Sequence, residues 1–483
     1  MKTAHVVALF CLLLAGLVPG AHAATGVCES LPGGPIELES TGGLLGPTGY
    51  GSLGAAFADI NNGSYTGAIT IDVCGDATEG ASALLNASGV GGSSYTGITI
   101  SPAGGAARTI SGTIAGALID LNGAGSVVID GSNAGGNALT LDNASTATNA
   151  STVLFRAGTS GDTVRNCTIK GSGTGAASGT IAFSTGSTTG NINHTITANT
   201  IAASGGNLPT NAVYSAGSSA SIANTGIVVS NNFIQDYFNA GAASNGILVA
   251  SNSGTWTITG NRFFQTGTRT ATTGATHRAI GIVTASGSGY TVSNNTIGFA
   301  DGSGGGVTTY TGAVAINYRG IEMTVAASPF PASSVQGNTV SGISLTTTSV
   351  AAASPGVLGG ISILGGTVNV GTTTANTIGA TSGTGAITVT TNGTTSAGIA
   401  DGIYANSTSS TIQGNAIGGI TATSPTATIG ITVRGIETAG SGVTISGNTV
   451  GSTTTANSIQ VGTTGTTTAV TNFTAILNTA ANK

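Results

Sequence analysis

Residues able to do acid–base or ionic chemistry are scarce in this 483-residue chain, which has 11 Lys and Arg, 16 Asp and Glu and 4 His. The densest group is His277-Arg278, echoed further along as Tyr318-Arg319, with Glu322 following. Two guanidinium groups side by side repel unless an anion sits between them. His277, Arg278, Tyr318, Arg319 and Glu322 are therefore the candidate binding point for an acidic glycan or cell-surface polymer, with His277 or Tyr318 as the base if a uronide were cleaved. The structural alternative makes Glu322 the partner of both arginines, an everyday kind of ion pair. Arg434 beside Asp401 invites the same structural explanation.

The elements that carry these residues are visible as a repeat. Apolar, two residues, Asn, one residue, apolar recurs from Ile196-Thr-Ala-Asn199-Thr-Ile201 to Ile445-Ser-Gly-Asn448-Thr-Val450. Its Asn positions are Asn199, Asn232, Asn261, Asn295, Asn338, Asn376, Asn415 and Asn448, and Cys167 stands where the first would be. Successive copies are 29 to 43 residues apart, as expected of a constant core with loops of varied length. The flanking apolar residues point inward, and Asn tolerates the left-handed backbone a bend between them needs. Stacked Asn amides can hydrogen-bond along the axis as a ladder. Cys167 reads as a small buried residue at the foot of that ladder rather than a reactive thiol.

A second apolar column keeps the same phase: Ile119, Val153, Ile181, Val213, Ile247, Ile280, Ile321, Ile361, Ile403 and Ile436. Two columns in phase predict at least two parallel sheets, and the residues after each Asn supply a third. Ten copies predict about ten coils. The residues following the column point outward, Glu322 and Glu437 among them. These two lie three rungs apart, roughly 14 Å, beyond the ~5–9.5 Å that glycoside hydrolysis needs.

Composition agrees. Charged residues are 6%, against about 25% in ordinary domains, and the 81 glycines are more than twice the usual share. Hydrophobic content of 39% excludes a disordered chain, and so few basic residues exclude nucleic acid as a partner. Residues 1–23 read as a secretory signal: Lys2, an apolar run from Val6 to Val18, then Ala21-His22-Ala23 for cleavage. No later run is long enough to span a bilayer. Export permits a disulfide, for which Cys28 and Cys74 are the favoured pair. Leu53, Ala56, Phe57 and Ile60 recur at helical spacing behind Ser52, predicting a short helix that closes the first coil. No Asp or Glu grouping has calcium-loop spacing, so neither metal nor cofactor is expected.

The segment Leu118-Ile-Asp-Leu-Asn-Gly-Ala-Gly-Ser-Val-Val-Ile-Asp-Gly131 and the Gly-Asn-Thr-Ile/Val units resemble the coils of right-handed parallel β-helix repeat proteins. That superfamily holds pectate lyases and polygalacturonases together with exported bacterial surface proteins. The Thr/Gly/Ala-rich texture is more similar to the surface proteins, and the clustered Asp residues of a polygalacturonase are missing. The expected organisation is a signal peptide at 1–23, a cap with first strands at 24–95, and β-helix repeats over 96–483. The chain reaches Lys483 without an evident C-terminal cap or sorting domain. The expected protein is an all-β, single right-handed parallel β-helix: monomeric, secreted or at the cell surface, adhesin-like and non-enzymatic, presenting loops to glycans or other surfaces. The alternative is a polysaccharide lyase or glycoside hydrolase acting on acidic polysaccharide.

Overall fold

In a computed structural model the chain is a parallel β-helix. The structure describes residue 28 and residues 33–133, 136–426, 429–463 and 470–480. The expected signal peptide lies outside the described residues.

Three long sheets run the length of the solenoid. The first begins with an antiparallel hairpin, β1 (Ile36–Gly43) and β2 (Thr48–Tyr50), then continues in parallel from β3 (Tyr65–Val73) to the strand Val443–Ser446. The second runs from β4 (Ala77–Glu79) to Thr449–Val450, and the third from β5 (Ala83–Asn86) to Asn472–Asn478, each with 12 strands. A shorter fourth sheet of six strands, Arg269–Thr270 to Ile459–Thr463, joins them in the C-terminal part. The 12 rungs exceed the ten expected because the column has two further members. Ala83 pairs below Ile119 and Ile476 above Ile436. The first is a small residue, and the second lies beyond a long Thr-rich stretch, so neither continues the visible pattern. Every other member of the column meets its neighbour in register, from Ile119–Val153 to Ile403–Ile436.

The Asn side chains form a continuous ladder. The Oδ1 of Asn232 accepts both the backbone N–H of Asn199, at 2.9 Å, and its Nδ2, at 3.1 Å. The same double contact repeats upward to Asn448, and at the foot Cys167 donates its backbone N–H to Asn199. The second Nδ2 hydrogen goes to a carbonyl one coil back, such as Val164 for Asn199 and Ile196 for Asn232. Such amides have every donor and acceptor used, which is what allows them to be buried. One expectation needs correction. The left-handed residue is not the ladder Asn but the one before it: Asn166, Ala198, Asn231, Gly260, Asn294, Gly337, Gly414 and Gly447 all have φ between 56° and 73°. This accounts for the Asn-Asn and Gly-Asn pairs, since those residues enter that region at least cost.

The helix α1 (Leu53–Asn61) closes the N-terminal end, with Leu53, Ala56, Phe57 and Ile60 buried and Ser52 as N-cap. Glu79 of the first coil grips its first turn. Its two carboxylate oxygens accept the N–H groups of Leu53 at 2.7 Å and Gly54 at 3.0 Å. A carboxylate there satisfies two donors that a helix start leaves free and complements its dipole. Cys28 and Cys74 are joined by a disulfide, with Cα atoms 5.6 Å apart.

Candidate functional site

The strand Thr276–Val283 lies beside Asn317–Thr324 in the third sheet, with His277 opposite Tyr318 and Arg278 opposite Arg319. Successive residues of a strand face opposite ways, so the predicted cluster divides. His277 and Tyr318 turn into the core. The His277 Nδ1 is 2.7 Å from the Ser244 hydroxyl, and its ring packs 4.9 Å from Phe238 and 5.6 Å from Tyr310, which in turn lies 5.1 Å from Tyr318. Burial, helped by the Arg278 charge, pulls the His277 imidazole down to about 4. Burial pushes the Tyr318 phenol well above its ordinary value. Neither group shares a face with the arginines, so the expectation that His277 and Tyr318 join Arg278, Arg319 and Glu322 in one site around an acidic sugar is corrected.

Arg278 and Arg319 do stand together on the outer face. Glu322, three residues beyond Arg319, reaches both. Arg278 Nε donates to Glu322 Oε1 at 2.6 Å, and Arg319 Nε lies 3.6 Å from Glu322 Oε2. The anion between the guanidinium groups is therefore Glu322 itself. Arg319 is 5% exposed and Glu322 is 3% exposed. Residues 351–357 cross the strands as a strap, and Arg319 donates to the Gly356 carbonyl at 2.8 Å and to that of Tyr318 at 2.9 Å. Desolvation beneath the strap lowers the Arg319 guanidinium to about 10 despite Glu322.

Under the same strap the structure assembles a group that spacing alone did not single out as a unit. Asp401 stands opposite Arg434, and Tyr404 opposite Glu437. The Ser354 hydroxyl of the strap bonds to Glu437 and accepts from Arg434 at 2.9 Å, and Arg434 also reaches Glu437. Asp401 is fully buried, and neither of its oxygens has a partner in hydrogen-bond geometry among the described residues. Burial raises its carboxyl to about 7, with the nearby Ser354 hydroxyl restraining the rise. The signal for this group was the Asp401/Arg434 register. The strap itself has no motif.

A cleft of about 700 Å³ opens at the other end, between the β1–β2 hairpin and the outer face of the first sheet. Glu39, Thr70 and Thr99 form a row along its floor, each opposite the next, and Thr96 and Leu45 line it too. Leu44 and Leu45 on the hairpin tip are both exposed. Sequence reasoning missed this cleft because the overhang of the hairpin creates it. Among the described residues no group of three or more His, Cys, Asp or Glu is placed to hold a metal ion, and no helix is long and apolar enough to cross a membrane. Cys167 is fully buried, and burial raises its thiol far above the ordinary range.

No family model matches the chain, and no curated protein matches it. Among solved structures it is similar to the Streptococcus pneumoniae surface protein and adhesin PfbA, at 11% identity and a TM-score of 0.37, over 88% of this chain and 94% of that one. A crystal structure of the same surface adhesin also aligns, at 12% identity and a TM-score of 0.35, over 83% of this chain and 88% of that one.

Proposed function

We propose that the protein is exported by the segment 1–23 and acts, without catalysis, as an adhesin-like β-helix that presents a rigid surface to glycans. In this reading residues 24–95 form the cap and first strands, and residues 96–483 the repeats. The observation that carries it is the cleft beneath the hairpin. Thr70, Thr96 and Thr99 line a space of about 700 Å³, ample for a short run of sugars. Hydroxyl rows suit sugar hydroxyls, and Leu45 offers an apolar wall for the C–H face of a ring. Glu39 disfavours a uronate there and favours a neutral or amino sugar.

A glycan array with neutral, amino and acidic members tests this. Binding of neutral or amino glycans that disappears in Thr70→Val plus Thr99→Val supports the cleft. Binding confined to acidic glycans, and lost in Arg278→Ala plus Arg319→Ala, would return the site to the arginine pair.

The polysaccharide-cleaving alternative rests on one arrangement, the carboxyl groups of Asp401 and Glu437 on adjacent strands beneath the strap, with burial raising Asp401. A protonated acid beside a carboxylate is the pairing glycoside hydrolysis uses. New reducing ends or unsaturated uronides appearing on incubation with pectin or alginate, and abolished by Asp401→Asn, would establish it.

A further inference from the structure

The strap over the third sheet is an insertion. On the coils before and after it, residues 312–316 and 392–397 make the crossing from the fourth sheet to the third, whereas residues 348–357 make it here. The added length lies over the next two strands. Gly356 pairs with Ala400, and Ser354 reaches Glu437 on the strand beyond. Little apolar surface holds it: Val357 is buried, but Ala352 and Ala353 are exposed.

Its fastenings are polar. The Val357 N–H donates to the Ile399 carbonyl at 2.7 Å, and the Ile399 N–H to the Ala351 carbonyl at 3.2 Å. Ionic side chains make the rest, Arg319 donating to the Gly356 carbonyl and Arg434 to the Ser354 hydroxyl. What lies beneath is poorly suited to being covered. Neither oxygen of the fully buried Asp401 has a hydrogen-bond partner among the described residues, nor has the Ser362 Oγ or the Arg319 Nε. These groups meet at Gly359, which stands between Arg319 and Asp401 in the row. A Cβ there would lie 2.3 Å from the Ser362 Oγ and 3.5 Å from Pro355 of the strap. Dry, unpaired polar groups carry a cost that is recovered once water reaches them.

From this we infer that the strap is a cover that opens when Asp401 gives up its proton. The groups facing Asp401 are Ser354 from the strap, Arg319 with its partner Glu322 two strands before it, Arg434 and Glu437 on the next strand, and Tyr404 on its own. Both arginines already have carboxylate partners, and burial outweighs their charge, raising the Asp401 carboxyl from 3.8 to about 7. Closed, the strap keeps that carboxyl dry and protonated. Open, it lets water return the carboxyl to its ordinary value. The closed state thus holds a proton that the open state releases, so the opening equilibrium rises about tenfold per pH unit from about 4 to about 7 and levels off above. Opening brings Arg319, Asp401 and Glu437 to water. The inference goes beyond the glycan reading and stands whether or not these groups cleave a polysaccharide.

Amide hydrogen exchange on the purified full chain tests it, read as protection factors so that the intrinsic pH dependence of exchange cancels. The reporters are the Val357 and Ile399 N–H groups; the reference is the Asn376 N–H, bonded to the Asn415 Oδ1 in the ladder. From pH 5 to pH 7 the protection of both reporters should fall about a hundredfold relative to Asn376. Asp401→Asn cannot ionise and should remove that slope. Ser354→Ala keeps the test open if the first variant does not fold. It loses the contacts to Arg434 and Glu437, and should lower both protection factors at every pH while keeping the slope. Wild-type reporters whose protection relative to Asn376 is the same at pH 5 and pH 7 overturn the inference. So does a slope that persists in Asp401→Asn, or protection at Val357 and Ile399 left unchanged by Ser354→Ala.

Discussion

The Oδ1 of Asn261 accepts two hydrogen bonds from Asn232, one from its backbone N–H at 3.0 Å and one from its Nδ2 at 2.9 Å. Each Asn of the ladder thus holds the turn below it by main chain and side chain at once. Removing one strands donors on one coil and an acceptor on the next. Asn295→Leu should cost about 1–3 kcal/mol for each buried group left unpaired, while Thr273→Ala on an exposed loop should cost almost nothing. Calorimetry giving the two variants equal melting temperatures would exclude the ladder as a stabilising element.

Ala198 occupies the left-handed position, at φ 57°, that Gly260, Gly337, Gly414 and Gly447 occupy on later coils. An L-residue with a Cβ pays about 1 kcal/mol there. Ala198→Gly should therefore stabilise the protein by roughly 0.5–1 kcal/mol, against the usual direction of a glycine substitution. A lowered denaturation midpoint in urea would contradict this account of the bend.

Glu322 neutralises Arg278 and Arg319 beneath the strap. Glu322→Gln leaves two close guanidinium groups with no anion and should cost about 3–5 kcal/mol, as breaking one partner of a buried pair does. Sulfate should restore part of that loss in the variant and do little for the wild type. Equal sulfate effects on both melting temperatures would show that the arginines do not depend on Glu322.

Asp162 and His194 form a buried pair whose titrations have opposite signs. The His194 Nδ1 accepts from the Asp162 backbone N–H at 3.2 Å and lies 3.4 Å from its Oδ2, which places the ring proton on Nε2, 3.1 Å from the Thr159 carbonyl. Burial pulls His194 from 6.5 to about 4, so stability is lost as pH falls through that window, where only the unfolded chain takes up the proton. Burial pushes Asp162 from 3.8 to about 8, so stability is lost as pH rises through that window, where only the unfolded chain gives the proton up. Asp162→Asn should therefore gain on the wild type steadily from pH 4 to pH 8, and His194→Gln should gain on it as pH falls from 6.5 to 4. Melting-temperature differences that stay flat across these ranges would show that neither group is buried as described.

Glu79 anchors the cap by accepting from Leu53 and Gly54. Glu79→Ala should cost about 1–3 kcal/mol, since two helix-start N–H groups lose their acceptor away from water, and hydrogen exchange should accelerate first in α1. Unchanged exchange at Leu53 and Gly54 would remove Glu79 from that role.

Much of this protein was legible in its residues. The Asn spacing and the Ile column located the coils, because a solenoid repeats one local environment and local environments select residue types. The Leu53/Ala56/Phe57/Ile60 stripe announced the helix for the same reason. The left-handed position was misassigned by one residue because Asn suits both a bend and a ladder, and only backbone angles separate the two uses. Ala83 and Ile476 escaped notice because the end coils have neighbours on one side only and carry weaker patterning.

The candidate sites belonged to another level. His277 and Arg278 are adjacent in the chain, yet strand alternation sends one to the core and the other outward. Ser354 meets Glu437, 83 residues away, only because a loop crosses several rungs. The cleft over Glu39, Thr70 and Thr99 exists because a hairpin overhangs a sheet. Sequence by itself determined which residues stack, since stacking repeats at every coil and leaves a periodic trace. The tertiary structure alone decided what lies over the stack, because loops crossing a regular surface make each contact once, and a contact made once leaves no period to read.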